Sequence, residues 1–278
     1  MKRQPRRLLL SVSLTLSFLL GVEAKPAAGQ QTTADRPASS QNTSQGQQSS
    51  AQPDRSVSLR KLPENIFQDQ KTIFLLPIEL GKGKHWWPTI AVTGVTAGLV
   101  ASDPYAAPPF RTTSSFDGFN RVFSSANTGL FIAAVPAAMY GVGWLTKDSY
   151  AKDTALLAGE AVADGFILAI PFKGITARKQ PLDYLGNGPY SDSFFNGSHN
   201  PFSSGGFYSA HAMAATAVAT IIARRYRKHR WVPYAAYGLA GAISLSRITR
   251  NDHFPGDVFF GAAMGYVISR YAVLPARN

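Results

Sequence analysis

Three short segments of this chain carry residues whose types and spacing suit chemistry on a phosphate ester. The fullest runs from Ser246 and Arg247 through His253 and Pro255 to Asp257, with the form S-R-x5-H-x3-D. Pro255 fits the first turn of a helix, where its missing N–H costs nothing. Asp257 then falls in the same turn, close behind His253. A carboxylate so placed accepts one imidazole N–H, fixes the tautomer and leaves the other nitrogen's lone pair free for attack. Arg247 carries a planar fork of donors that can grip a phosphate at two oxygens.

The second segment is Tyr208-Ser209-Ala210-His211. Ser209 is a natural helix N-cap, and the free N–H groups of the turn it opens bind anions. His211 lies beside that anion site, placed to protonate a leaving oxygen. The third is Lys173 to Pro181, with Lys173, Arg178 and Lys179 in seven residues. A cationic loop beside an oxyanion site stabilises charge spread over phosphoryl oxygens. Each residue alone has an ordinary reading as a helix cap, a turn histidine or a solvated charge; their joint order is what carries weight.

These segments must be held by the elements between them. Six apolar stretches follow one another at about 89–102, 128–146, 153–171, 210–224, 232–247 and 256–273, rich in Gly and Ala and without long period-two alternation. They predict an all-α fold, a six-helix bundle whose motifs sit at helix ends. Residues 57–85 mix short apolar pieces with charge and read as chain lying across the domain surface. The stretch Leu182 to Phe207 is rich in Gly, Asn, Ser and aromatics. It reads either as a lid that grips an apolar substrate or as a plain irregular loop.

Ahead of the bundle, residues 1–24 read as a secretory signal: Lys2, Arg3, Arg6 and Arg7, then an apolar run from Leu8 to Val22. An uncleaved anchor is the alternative, although the run is short for a spanning helix. Residues 25–56 contain no Leu, Ile, Val, Met or aromatic residue and read as a disordered linker. The helical domain is then 57–278, in an exported protein of the periplasm or cell envelope. The chain has no cysteine, which excludes disulfides and thiol nucleophiles. Its net charge of +12 favours anionic partners. The cluster from Arg224 to Arg230 reads first as a solvated helix end, then as a contact for lipid headgroups; nucleic acid is not expected. Most helices are short for a bilayer, and a spanning arrangement would put that cluster outside, against the positive-inside tendency. A globular or peripheral domain is therefore favoured over an inserted one.

In order and spacing the three segments resemble the signature of the type 2 phosphatidic acid phosphatase and vanadium haloperoxidase superfamily: K-x6-R-P, then P-S-G-H, then S-R-x5-H-x3-D. The resemblance covers about residues 86 to 273 and implies the following roles. His253 attacks phosphorus and becomes a phosphohistidine, Asp257 orients it, and His211 is the general acid. Lys173, Ser209 and Arg247 hold the phosphoryl oxygens, with the backbone at Ala210 beside them. No metal or other cofactor is implied, and vanadate is expected to occupy the phosphate site. Two departures bear on activity. Gln180 stands where the signature has Arg, so the cradle loses a cation and keeps a hydrogen-bond donor; restoring Arg is expected to improve substrate use. Whether Arg178 or Lys179 replaces the lost cation is left open. Ala210 stands where the signature has Gly, adding a methyl that is harmless only with ordinary backbone dihedrals. The resulting expectation is a phosphoric ester hydrolase acting on phosphate monoesters or pyrophosphates, lipid-linked ahead of soluble. A mean hydropathy of −0.06 speaks for soluble substrates instead. A vanadate-dependent haloperoxidase, or a relative that binds phosphate esters without turnover, are the alternatives.

Overall fold

A computed structural model describes residues 57–83, 86–111, 113–184, 190–200, 202 and 206–274. The signal and linker expected over residues 1–56 lie outside the described residues. The chain divides into two units, Met1–Pro53 and Asp54–Asn278, and all described residues belong to the second.

Nine α-helices appear among the described residues, and no strand. They are α1 (Leu62–Gly81), α2 (Trp86–Ala106), α3 (Pro108–Arg111), α4 (Asp117–Val122), α5 (Ser125–Leu145), α6 (Ser149–Thr176), α7 (Ala210–Arg225), α8 (Trp231–Thr249) and α9 (Pro255–Val267). A 3₁₀ turn at Pro181–Asp183 follows α6, and a π-helical turn at Ile268–Val273 continues α9. The six apolar stretches are α2, α5, α6, α7, α8 and α9. The added long element is α1, in the segment read from sequence as surface chain.

Local signals set the helix ends. Ser124 accepts from the Asn127 N–H at 3.2 Å to start α5, and Asp148 accepts from Ala151 at 3.1 Å to start α6. Helix α6 closes at Ala177, which takes a left-handed conformation at φ +37°. Asn251 does the same after α8 at φ +61°, and the N–H groups of Asp252 and His253 fold back onto the Arg247 carbonyl. That reversal brings His253 back beneath the end of α8.

Helix α7 is the hub. Its residues from Ala212 to Ile221 are all buried, and it packs against α6, α8 and α9. Leu157, Ala161 and Leu168 of α6 meet Ala217, Val218 and Ile221 of α7 in the largest apolar cluster. The contact of α7 with α9 is backbone-close. A Cβ on Gly261 would lie 2.5 Å from the Ser209 carbonyl oxygen, and one on Gly265 would lie 2.2 Å from that of Met213. Both distances are shorter than van der Waals contact allows, so only glycine lets α9 seat here. This seating carries the third motif against the second.

Candidate active site

All three motifs meet where α9 begins. Ser209 is fully buried and caps α7, its hydroxyl accepting from the Ala212 N–H at 3.4 Å. Its own N–H donates to the Asp257 carbonyl at 3.1 Å. Ala210 opens the helix with α-helical geometry and is not among the residues at positive φ, so its methyl brings no backbone strain. Lys173, in the last turn of α6, lies against Gly206, just ahead of the second motif, and feels the charge of Asp257. Burial lowers the Lys173 ammonium from its ordinary value, and Asp257 partly restores it.

His253 is buried, with Nδ1 3.5 Å from Asp257 Oδ2. That is an ion-pair distance at which no hydrogen bond forms, and Nδ1 has no hydrogen-bond partner among the described residues. Asp257 is held elsewhere: Oδ2 accepts the Phe254 N–H at 3.0 Å, and Oδ1 accepts from Arg178 Nη1. Burial pushes His211 down to about 4, and the neighbouring Arg247 and His253 push the same way. At pH 7 His211 is therefore neutral in the protein alone. A negative charge placed beside it would raise it.

Several side chains lie otherwise than the motif reading placed them. Arg247 is 1% exposed and committed to protein: Nη1 to Ser125 Oγ at 2.9 Å and to Asp252 Oδ2 at 3.1 Å, Nη2 to the Phe123 carbonyl at 2.5 Å. It fastens the start of α5 to the end of α8, and a two-oxygen grip on phosphate would compete with these bonds. Gln180 donates from Nε2 to Asp183 Oδ1 at 3.3 Å, so its amide serves the 3₁₀ turn. Arg178, the open candidate for the missing cation, is buried behind Asp257, with its donor nitrogens engaged by Asp103, Asp257 and Ser193. Sequence reading missed Asp103, Ser125 and Asp252. Only Asp252 carried a local signal, as a carboxylate next to His253.

The aromatics of the 182–207 segment divide. Tyr190 and Phe207 are buried; Tyr190 stacks on Tyr184 at 4.8 Å between centroids, and Phe207 meets Phe260 at 4.9 Å. Phe195 and Phe202 are exposed. Of the two readings left open for this segment, the described Tyr184, Tyr190, Phe194 and Phe207 fit packing around the start of α9.

Residues 154–277 match the family model described as the PAP2 superfamily. This segment belongs to the PAP2 superfamily. The match spans α6 to α9 and all three motifs, and the all-α fold agrees with it. PAP2 membership supports phosphatase-type activity in the broad sense. Neither a curated protein nor a solved structure matches the chain. Among the described residues, two helical stretches, Ser125–Leu145 and Ser149–Asp183, are long and apolar enough to cross a membrane; the first precedes the matched segment and the second overlaps it. Of the first, only 11% of the most apolar stretch is buried by the protein itself.

Away from this site, Asp69 of α1 and Glu160 and Asp164 of α6 bring carboxylate oxygens within 4.8 Å of one another, all buried. Gln70 Nε2 donates to Asp164 Oδ1 at 2.8 Å, and each of the three carboxylates is engaged by neighbouring groups.

Proposed function

We propose that the protein hydrolyses phosphate monoesters or pyrophosphates carried on a lipid, through a phosphohistidine at His253. The observation behind this reading is an apolar cavity of about 270 Å³ between α5 and α6. Ile132, Pro136, Val162 and Phe166 line it, and His211 stands at its wall with Ala214. A general acid must sit at the leaving oxygen. The chain attached to that oxygen then lies in the apolar cavity, which suits a hydrocarbon and leaves a polar alcohol unsatisfied. The exposed faces of α5 and α2, including Trp86, Trp87 and Trp144, suit contact with the lipid surface where such substrates are found.

The reaction runs in two displacements. With Nδ1 facing Asp257, Nε2 of His253 attacks phosphorus. The P–O bond to the leaving group breaks, and that oxygen takes the proton from His211, which phosphate binding has charged. Water then attacks the phosphohistidine, His211 accepts its proton, the P–N bond breaks and inorganic phosphate departs. Lys173 and the N–H groups opening α7 would stabilise the charge that develops on the phosphoryl oxygens. The chemistry needs no metal, and vanadate would occupy the same cradle as a phosphate mimic.

A second reading, binding of phosphate esters without turnover, is favoured by the engagement of Arg247 with Asp252 and of Gln180 with Asp183. The deciding assay is phosphate release by the full chain in detergent from phosphatidic acid, a polyprenyl pyrophosphate and an aryl phosphate, beside His253→Ala. Release from the lipids that vanishes in the variant supports the proposal. Equal release by His253→Ala would overturn the mechanism, and binding without release would leave the second reading.

A further inference from the structure

Arg178 lies between two carboxylates that come from distant parts of the chain. Its Nη2 donates to Asp103 Oδ2 at 2.8 Å, its Nη1 to Asp257 Oδ1, and its Nε to Ser193 Oγ at 3.0 Å. The rings of Phe194 and Phe254 cover the guanidinium at 4.4 and 4.5 Å. Arg178, Asp103 and Asp257 are 3%, 0% and 1% exposed. Asp103, on α2, uses its other oxygen to accept the Gly256 N–H at 3.0 Å, one residue ahead of Asp257. Every donor nitrogen of Arg178 is thus committed to protein, and both oxygens of Asp103 and of Asp257 are occupied.

Such a guanidinium is an expensive thing to bury. Removing one partner of a buried ion pair strands the other charge, whereas apolar packing of the same volume would do as well for stability. Its location explains what it contributes. A carboxylate that orients a histidine must present one chosen oxygen at one chosen angle, and its rotamer is fixed by what holds the other oxygen. Here Arg178 takes Oδ1, which leaves Oδ2 facing His253 Nδ1. Asp103 in turn holds the second arm of Arg178 and the backbone of the turn that carries Asp257. The other titratable and charged groups facing this cluster are Lys173 of α6, which feels Asp257, and beyond His253 the imidazole of His211 with Arg247 and Asp252.

We propose that Arg178 and Asp103 are positioning residues that clamp Asp257, so that the charge on Oδ2, facing His253 Nδ1 at 3.5 Å, favours the Nδ1–H tautomer and leaves Nε2 free to attack. The inference rests on the reading of His253 as nucleophile, and it ties α2, which precedes the matched family segment, to the reacting centre. It also assigns the cation of the first motif a new place: Arg178 supports the nucleophile from behind, where the signature's Arg would have faced the substrate.

The test uses the full chain with ¹⁵N-labelled histidine, with the His253 signals assigned by their loss in His253→Gln. Asp103→Asn keeps an acceptor for the Gly256 N–H while weakening the hold on Arg178. The double variant Asp103→Asn/Arg178→Gln removes opposite charges together and so avoids stranding either. In the parent, the ¹⁵N shifts report His253 mainly as the Nδ1–H tautomer. In both variants that fraction falls, and kcat/KM on the preferred phosphate ester drops about 10- to 100-fold through kcat with KM little changed. A merely structural role moves the melting temperature alone. An unchanged tautomer ratio in both folded variants overturns the clamp, whatever the activity. If the parent shows the tautomer and loses it in the variants but no chain releases phosphate, the clamp stands and the hydrolase reading falls.

Discussion

Replacing His211 with Gln should change how stability depends on pH. The folded protein holds His211 at about 4, against an ordinary 6.5, because burial and the neighbouring Arg247 and His253 disfavour the imidazolium. Between those two values the unfolded chain binds a proton that the folded chain refuses. Acidification from pH 6.5 to 4 therefore favours unfolding. The difference of 2.5 pH units corresponds to about 3 kcal/mol at ~1.36 kcal/mol per unit, an upper figure because the ring is partly exposed. Gln keeps a neutral amide of similar reach and cannot titrate. Urea unfolding of parent and variant at pH 7 and at pH 4.5 isolates the effect, since all other titrating groups are common to both. The parent should lose stability relative to His211→Gln by about 2 to 3 kcal/mol on acidification. Parallel curves would show that His211 titrates normally in the folded state, and the account of its burial beside Arg247 and His253 would fail.

Asp103 should give the opposite slope. Burial raises it to about 6 from 3.8, against the opposing pull of Arg178, so the folded state binds the extra proton and gains stability as pH falls through that window. Asp103→Asn should accordingly lose more stability than the parent between pH 7 and pH 4, by urea unfolding; a smaller loss counts against it. Gly265→Ala places a Cβ 2.2 Å from the Met213 carbonyl and should cost about 1 to 3 kcal/mol, a fall of several degrees in thermal midpoint; an unchanged midpoint would mean that α7 and α9 are not in backbone contact. Gln180→Arg, expected from the motif to improve turnover, should leave kcat/KM within about twofold, because Asp183 is placed to capture the new guanidinium. A tenfold gain would show that position 180 does reach the substrate.

The sequence made most of the bundle legible because α2 and α5 to α9 are apolar along their whole length and end on strong local signals. Ser209 and Pro255 mark their turns by residue type alone. Helix α1 escaped because its burial is inverted. Asn65, Asp69 and Gln70 face inward while Phe67 and Phe74 are exposed, so a search for an apolar buried face finds none. In the site, residues that act within a few positions of one another were readable: the Asp257 carboxylate near His253, the Ser209 cap beside His211. What could not be read were pairings across the chain. Nothing near Arg178 announces Asp103, and nothing near Arg247 announces Ser125 or the Phe123 carbonyl. The motif reading aimed Arg247 at phosphate and left Arg178 open, whereas packing turned both toward protein.

The close seating of α9 on α7 has a consequence for how function depends on the order of folding. Helices α5 to α8 connect neighbours along the chain and can form hairpin by hairpin from local contacts. The third motif arrives last, on a short helix that must pass its glycines over the Ser209 and Met213 carbonyls before the Ser209 N–H can reach Asp257. Under the mechanism proposed above, a chain folded through α8 with α9 unseated would hold Lys173, Ser209 and His211 with no nucleophile facing them. Turnover would then report completion of the final long-range step, and a half-finished chain would be catalytically silent.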